Sequence, residues 1–333
     1  MGTGVGIAAA AMAEARSSLT YSAASPLWHQ AATTGKLPKV GGQLLVYDAS
    51  DHYVFMFGGR AKWTTFNHPF DGGDWAFANG TWRPLVTYNG PYNQGQGASA
   101  YDAADGYVVL FGGEQQGGGP HGAGLLYYTY TYHAGNWTKL TLTVHPGTDV
   151  AAAMAYDPSI QRVILYGGSS SGVANQTWMF HAGKWTQLHP ATTPPSLSGA
   201  AMTYYAPGNE LLLYGGVHCV TYLNCSESNA TWAFAGGTWS RLSTPVNPGP
   251  RDSFTFAYDP PLRAAVLFGG SNLSTGQNDT WLFQNGRWAL YCAPCGPNPR
   301  EIAKSTYDPA LPGLLLYGGY SARGFSNQTW ELS

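Results

Sequence analysis

Six short apolar runs, each ending in two glycines, constrain this chain more than any other feature: "VFMFGG" (54–59), "VVLFGG" (108–113), "VILYGG" (163–168), "LLLYGG" (211–216), "AVLFGG" (265–270) and "LLLYGG" (314–319). The first glycine of each pair falls at 58, 112, 167, 215, 269 and 318, giving spacings of 54, 55, 48, 54 and 49. A period near fifty residues signals a repeated supersecondary unit. Upstream of each run stands a second short run closing in a turn, as in "LLVYDAS", "AMAYDPS" and "TFAYDPP". Downstream comes a near-constant segment: "NQTWMFHAGKW" (175–185), "NATWAFAGGTW" (229–239) and "NDTWLFQNGRW" (278–288).

Each unit reads as four strands. The first carries small residues and ends in Tyr-Asp, where Asp can cap its own turn. The second is almost wholly apolar, as a strand buried on both faces should be. Its Gly-Gly supplies backbone freedom where a side chain would collide. The third and fourth meet at "ANG", "HAG", "AGG" or "QNG", hairpin turns that need positive φ. Helical periodicity is absent from the repeats.

Four-stranded units of this length, with Gly-Gly and paired aromatics, resemble the kelch repeat of the galactose oxidase/kelch-like superfamily. The resemblance covers residues 26–333 and implies an all-β, six-bladed β-propeller. It departs at Tyr130, which stands where a third-strand Trp is usual, and at "GDWAF", which replaces "NxTW" in the first unit. The last unit stops at "NQTWELS" with three strands. The segment from Trp28 in "LWHQAATTGKLPKVGGQLLVYD" (27–48) matches "KWTQLHPATTPPSLSGAAMTYY" (184–205) in kind. An N-terminal strand around Trp28 is therefore expected to complete the last blade and remove free sheet edges. On this layout the tryptophans are packing between blades.

Composition narrows the function classes. Charged residues make up only 10%, against about 25% in ordinary soluble proteins. The net charge is −2 and there is no basic block, which argues against nucleic acid. No apolar run is long enough to span a membrane as a helix. A surface so poor in charge suits a secreted, cell-surface or acid-exposed protein. Residues 1–25 lie outside the repeats. There "GVGIAAAAMAEA" resembles the apolar centre of a signal peptide before an Ala-x-Ala site at Ala13-Glu14-Ala15, although a basic start is missing. If retained and ordered, such an arm would dock on a second copy of the chain.

In a propeller, the second-to-third loops and the connections between blades emerge on one face. Here those loops vary most, as in "RAKWTTFNHPFDGG" (60–73), "EQQGGGPHGAG" (114–124), "VHCVTYLNCSES" (217–228), "SNLSTGQ" (271–277) and "YSARGFS" (320–326). Variable loops on a fixed scaffold carry function. Arg60 and Glu114 directly follow their Gly-Gly pairs. Arg251-Asp252 and Arg300-Glu301 occupy matching connections, "GPRDSF" and "NPREIA". One reading makes these six a polar ring that grips a sugar or a peptide carboxylate. The other makes them ion pairs that fix loops between blades, which the repetition of Arg251 and Arg300 favours.

Cys219, Cys225, Cys292 and Cys295 fall on the same face as two local pairs, and an even count points to disulfides 219–225 and 292–295. A four-thiolate zinc site is the alternative, because Cys-x-x-Cys is a metal spacing, but Cys-x5-Cys is an unusual second half. A redox role lacks the βαβ context. His68, His121 and His218 lie in loops of this face and could be imagined as a metal site; no metal or cofactor is expected. Eight Asn-x-Ser/Thr sequons occur. Four belong to "NxTW", where Asn and Thr have local work, so Asn79, Asn136, Asn224 and Asn272 are the glycan candidates.

Copper-oxidase chemistry of the kelch type would demand two His, two Tyr and a Cys joined to Tyr, and no such set is visible. Sialate mutarotases of this superfamily place charges at the channel mouth, without a motif that matches here position by position. Nucleophile-elbow, phosphate-loop and HExxH motifs are absent. The expectation is a secreted or cell-surface propeller that binds a glycan or protein partner or builds an extracellular assembly. The alternative is a carbohydrate-active enzyme working at the channel mouth.

Overall fold

The computed structural model describes residues 28–33, 35–62, 73–92, 94–116, 123–147, 150–168, 175–221, 224–272 and 275–333. The 1–25 arm, His68 and His121 lie outside them. The described chain is all-β, with one 3-10 turn at Ala206–Gly208. No described helix is long and apolar enough to cross a membrane.

Six four-stranded antiparallel sheets follow one another along the described chain. Sheet one holds Leu44–Asp48, Tyr53–Phe57, Asp74–Ala78 and Thr81–Pro84. Sheet two holds Ala98–Asp102, Tyr107–Phe111, Thr129–His133 and Asn136–Leu140. Sheet three holds Ala153–Asp157, Arg162–Tyr166, Thr177–His181 and Lys184–Leu188. Sheet four holds Ala201–Tyr205, Glu210–Tyr214, Thr231–Ala235 and Thr238–Leu242. Sheet five holds Thr255–Asp259, Ala264–Phe268, Thr280–Gln284 and Arg287–Cys292. Sheet six takes Lys304–Tyr307, Leu314–Tyr317 and Thr329–Leu332 from the C-terminal end and Trp28–Gln30 from the N-terminal end. Trp28 pairs with Leu332 and Gln30 with Trp330, so the expected completion of the last unit is present.

The cores sit between sheets. Each of six buried clusters joins two consecutive sheets, and the cluster containing Val54, Met56, Trp82, Leu315 and Tyr317 joins sheet six to sheet one. Every second strand therefore has an apolar neighbour on both faces, which is why it reads as a continuous apolar run. The first strands contact one another in the same cyclic order. This arrangement is compatible with a β-propeller.

The tryptophans now have a specific role. Each fourth-strand Trp sends its indole N–H to the first residue of the preceding sheet's third strand. Trp28 donates to Thr280, Trp82 to Thr329, Trp185 to Thr129, Trp239 to Thr177 and Trp288 to Thr231, at 2.9–3.0 Å. Trp137 donates to Asp74 Oδ2 at 3.2 Å, where "GDWAF" replaces "NxTW". The same rings pack against the aromatic that precedes the neighbouring Gly-Gly, as in Trp82–Tyr317 at 5.0 Å and Trp239–Tyr166 at 5.1 Å between centroids. A buried indole N–H left without a partner would cost about 1–3 kcal/mol. The Thr of "NxTW" is thus a buried acceptor for the next sheet.

Main-chain geometry finishes the loop face. Gly269 has φ +72°, and a Cβ there would lie 2.7 Å from the Arg300 carbonyl oxygen, so the conformation and the close approach both require glycine. Each connection between sheets contributes one positive-φ residue to a main-chain cycle: Gly42, Gln96, Ala151, Gly199, Ser253 and Ile302. Their N–H groups donate in a cycle. Gln96 donates to Gly42, Ala151 to Gln96, Gly199 to Ala151, Ser253 to Gly199, Ile302 to Ser253 and Gly42 to Ile302, at 2.7–3.2 Å.

Candidate functional site

The described residues that follow each Gly-Gly and the inter-sheet connections meet beside that main-chain cycle. Antiparallel bridges tie four of the connections to the residue after the next Gly-Gly: Gly41 to Arg60, Ser198 to Val217, Asp252 to Ser271 and Glu301 to Tyr320. The six expected charged residues all flank the cycle, but they divide into two groups.

Arg60 and Glu114 form an ion pair between sheets one and two, and Gln96 Nε2 donates to the same carboxylate. Arg251 is only 3% exposed. Its guanidinium holds Asp279 through two bonds, 2.7 and 3.0 Å, and also donates to the carbonyls of Gly269 and Pro248. Burial pushes Asp279 up, but the Arg251 bonds and charge outweigh it and hold the carboxyl below its usual range. Arg300 repeats the geometry. It donates to Gly318 O at 2.9 Å, Asn298 O at 3.1 Å and Gln328 Oε1 at 2.9 Å. Gln328 stands where Asp279 stands one sheet earlier, so the Arg300 charge faces neutral oxygens, and burial pulls its pKa down to about 10. Both arginines therefore fix inter-sheet connections.

Their neighbours are different. Asp252 and Glu301 are half-buried. The Ser271 hydroxyl donates to Asp252 Oδ1 at 3.0 Å and also contacts the Glu301 carboxyl. Burial raises both carboxyls, and the Asp252 charge raises Glu301 further. A carboxyl in this state holds its proton closer to neutral pH and can donate it.

Glu301 opens onto a cleft of about 420 Å³ between sheets five and six. Its wall also carries Ser271, Thr275, Asn298, Tyr320 and Arg323. Two short strands, Tyr320–Ser321 and Gly324–Phe325, hold Tyr320 in place, with its ring 4.9 Å from that of Phe325. Arg300 also belongs to this wall, but its guanidinium is committed to oxygens inside. Sequence reading pointed to Glu301 and the face; it missed Asn298, which stands where the matching connection has Gly249, and Tyr320 and Arg323, whose loop shares no motif with the other units.

The cysteines form two local pairs at disulfide distance, Cys219–Cys225 with Cα atoms 4.0 Å apart and Cys292–Cys295 with Cα atoms 5.8 Å apart. Cys219 and Cys225 face each other across a hairpin of Val217–Thr221 and Asn224–Glu227. Among the described residues no group of three or more His, Cys, Asp or Glu side chains is arranged to hold a metal ion. His218 Nδ1 lies 2.9 Å from the Ser196 carbonyl oxygen. Asn79, Asn136, Asn224 and Asn272 are all exposed. Compared with known proteins, the chain matches no family model and no curated relative.

Proposed function

We propose that the six sheets are the blades of a closed six-bladed β-propeller of kelch type, and that the protein is a secreted or cell-surface propeller which binds a glycan in the cleft between sheets five and six. The cyclic order of cores, indole bonds and main-chain bonds supports the ring. The paired cysteines and the exposed sequons at Asn79, Asn136, Asn224 and Asn272 support an oxidising, extracellular setting.

The observation that carries the binding reading is the cleft wall. It sets a tyrosine ring beside a half-buried carboxyl, the Arg323 side chain and four neutral hydrogen-bonding side chains, Ser271, Thr275, Asn298 and Ser321. Sugars offer hydroxyls for such groups and C–H faces for the ring, and the volume falls within the range of small-ligand sites. Glycan-array screening followed by calorimetry tests it. Tyr320→Ala and Arg323→Ala should each weaken the retained glycan at least tenfold while leaving thermal stability nearly unchanged. Equal binding by both variants would exclude this cleft.

A second reading is a carbohydrate-active enzyme. The raised carboxyls of Asp252 and Glu301 around Ser271 favour it. Mass analysis of the same retained glycan separates the two: a ligand recovered intact supports binding, and a chemically altered one supports turnover.

A further inference from the structure

A second cavity system lies along the axis enclosed by the six first strands, away from the cleft. Two chambers share the same waist, built from one residue of each sheet: Leu45, Ser99, Met154, Met202, Phe256 and Ser305. The chamber nearer the main-chain cycle is about 140 Å³ and contains Lys304. The other is about 330 Å³ and is walled by tyrosines from five first strands: Tyr101, Tyr156, Tyr204, Tyr258 and Tyr307.

Lys304 is the unusual wall residue. The equivalent position carries Leu44, Ala98, Ala153, Ala201 and Thr255 in the other sheets. Its side chain is half-buried and lines this chamber. It makes no ion pair among the described residues, and no carboxylate lines either chamber. An ammonium drawn partly out of water without an anion is costly. Hydroxyl side chains line the same chamber: Ser99, Thr255 and Ser305, of which the last two bond to each other. Beyond them the waist is mostly Leu, Met and Phe, and methionine adapts to an irregular chain.

We propose that this channel is a binding site for a slender amphiphilic carboxylate, its head on Lys304 Nζ and the neighbouring hydroxyls, its apolar tail passing the waist into the tyrosine chamber. The three residues from Lys304 to Tyr307 span about 10 Å, the reach of a medium-length chain. The head end therefore lies on the side of the main-chain cycle and the tail end on the side of the tyrosines.

Calorimetry of the full chain with octanoate, 4-phenylbutyrate, acetate and 1-octanol tests this. Octanoate or 4-phenylbutyrate should bind at least tenfold more tightly than acetate and 1-octanol, and the better of the two tells a straight tail from an aryl one. Lys304→Met keeps length and apolar shape and should weaken the preferred carboxylate at least tenfold. A check free of substitutions is lysine acetylation read by peptide mass spectrometry: the bound carboxylate should slow modification of Lys304 at least fivefold and leave exposed lysines unchanged. No binding, equal binding of octanoate and 1-octanol, full affinity in Lys304→Met, or an unprotected Lys304 would each overturn the proposal.

Discussion

Arg251 and Arg300 do the same work one sheet apart, but their partners differ. Arg251 neutralises Asp279, whereas Arg300 spends its charge on carbonyls and Gln328. Removing one member of a buried ion pair strands the other at about 3–5 kcal/mol, whereas stranding neutral acceptors costs about 1–3 kcal/mol. Arg251→Met should therefore destabilise more than Arg300→Met in denaturant titrations. Equal losses would mean that the Asp279 pair adds nothing beyond its neutral hydrogen bonds. The repetition of these arginines was legible in sequence, because a guanidinium is needed to reach several oxygens at once. The loss of the carboxylate partner at Gln328 was not, since nothing local links position 328 to position 300. Lys304 was legible only by lining up all six first strands, where a charge stands against small and apolar residues.

At the scale of strands and turns, the first strand's closing Asp caps its turn through Oδ1, as Asp48 does to Ser50 N and Asp51 N, Asp102 to Ala104 N and Asp259 to Leu262 N. The Oδ2 atoms of these three are buried without a hydrogen-bond partner. Burial raises all three carboxyls, against the opposing turn N–H bonds. The folded state therefore binds their protons more readily than the unfolded chain. Their contribution to stability is complete below the unfolded carboxylate pKa and is lost as pH rises through the raised folded value. The thermal midpoint should rise as pH falls from 7.5 toward 5. The triple variant Asp48→Asn/Asp102→Asn/Asp259→Asn, which keeps each Oδ1 cap, should be more stable than the parent at pH 7.5 and should flatten that slope; an unchanged slope would sink the assignment. The caps were readable because a turn of this shape selects Asp. The six residues of the main-chain cycle were not, because their bonds are main-chain and their side chains range from glycine to isoleucine. The fourth strands also carry one exposed cation each in sheets one to five, Arg83, Lys139, Lys184, Arg241 and Arg287, a placement that discourages edge-to-edge pairing.

For the molecule as a whole, the cyclic order of the sheets depends on the N-terminal strand being built into the C-terminal sheet. Trp28 ties the N-terminal strand to two sheets, by pairing with Leu332 in sheet six and by its indole bond to Thr280 in sheet five. His29 lies opposite Glu331, and the Ala31 N–H bond to the Thr329 carbonyl sets the same register. Directly opposed Cα atoms at such a pair stand about 5.5 Å apart, within disulfide reach. The double variant His29→Cys/Glu331→Cys measures the closure directly. Non-reducing peptide mass mapping should find positions 29 and 331 linked spontaneously, with a higher thermal midpoint than the reduced form because the bridge restrains a very long loop in the unfolded chain. Free thiols at both positions, or bridges formed elsewhere, would contradict the ring.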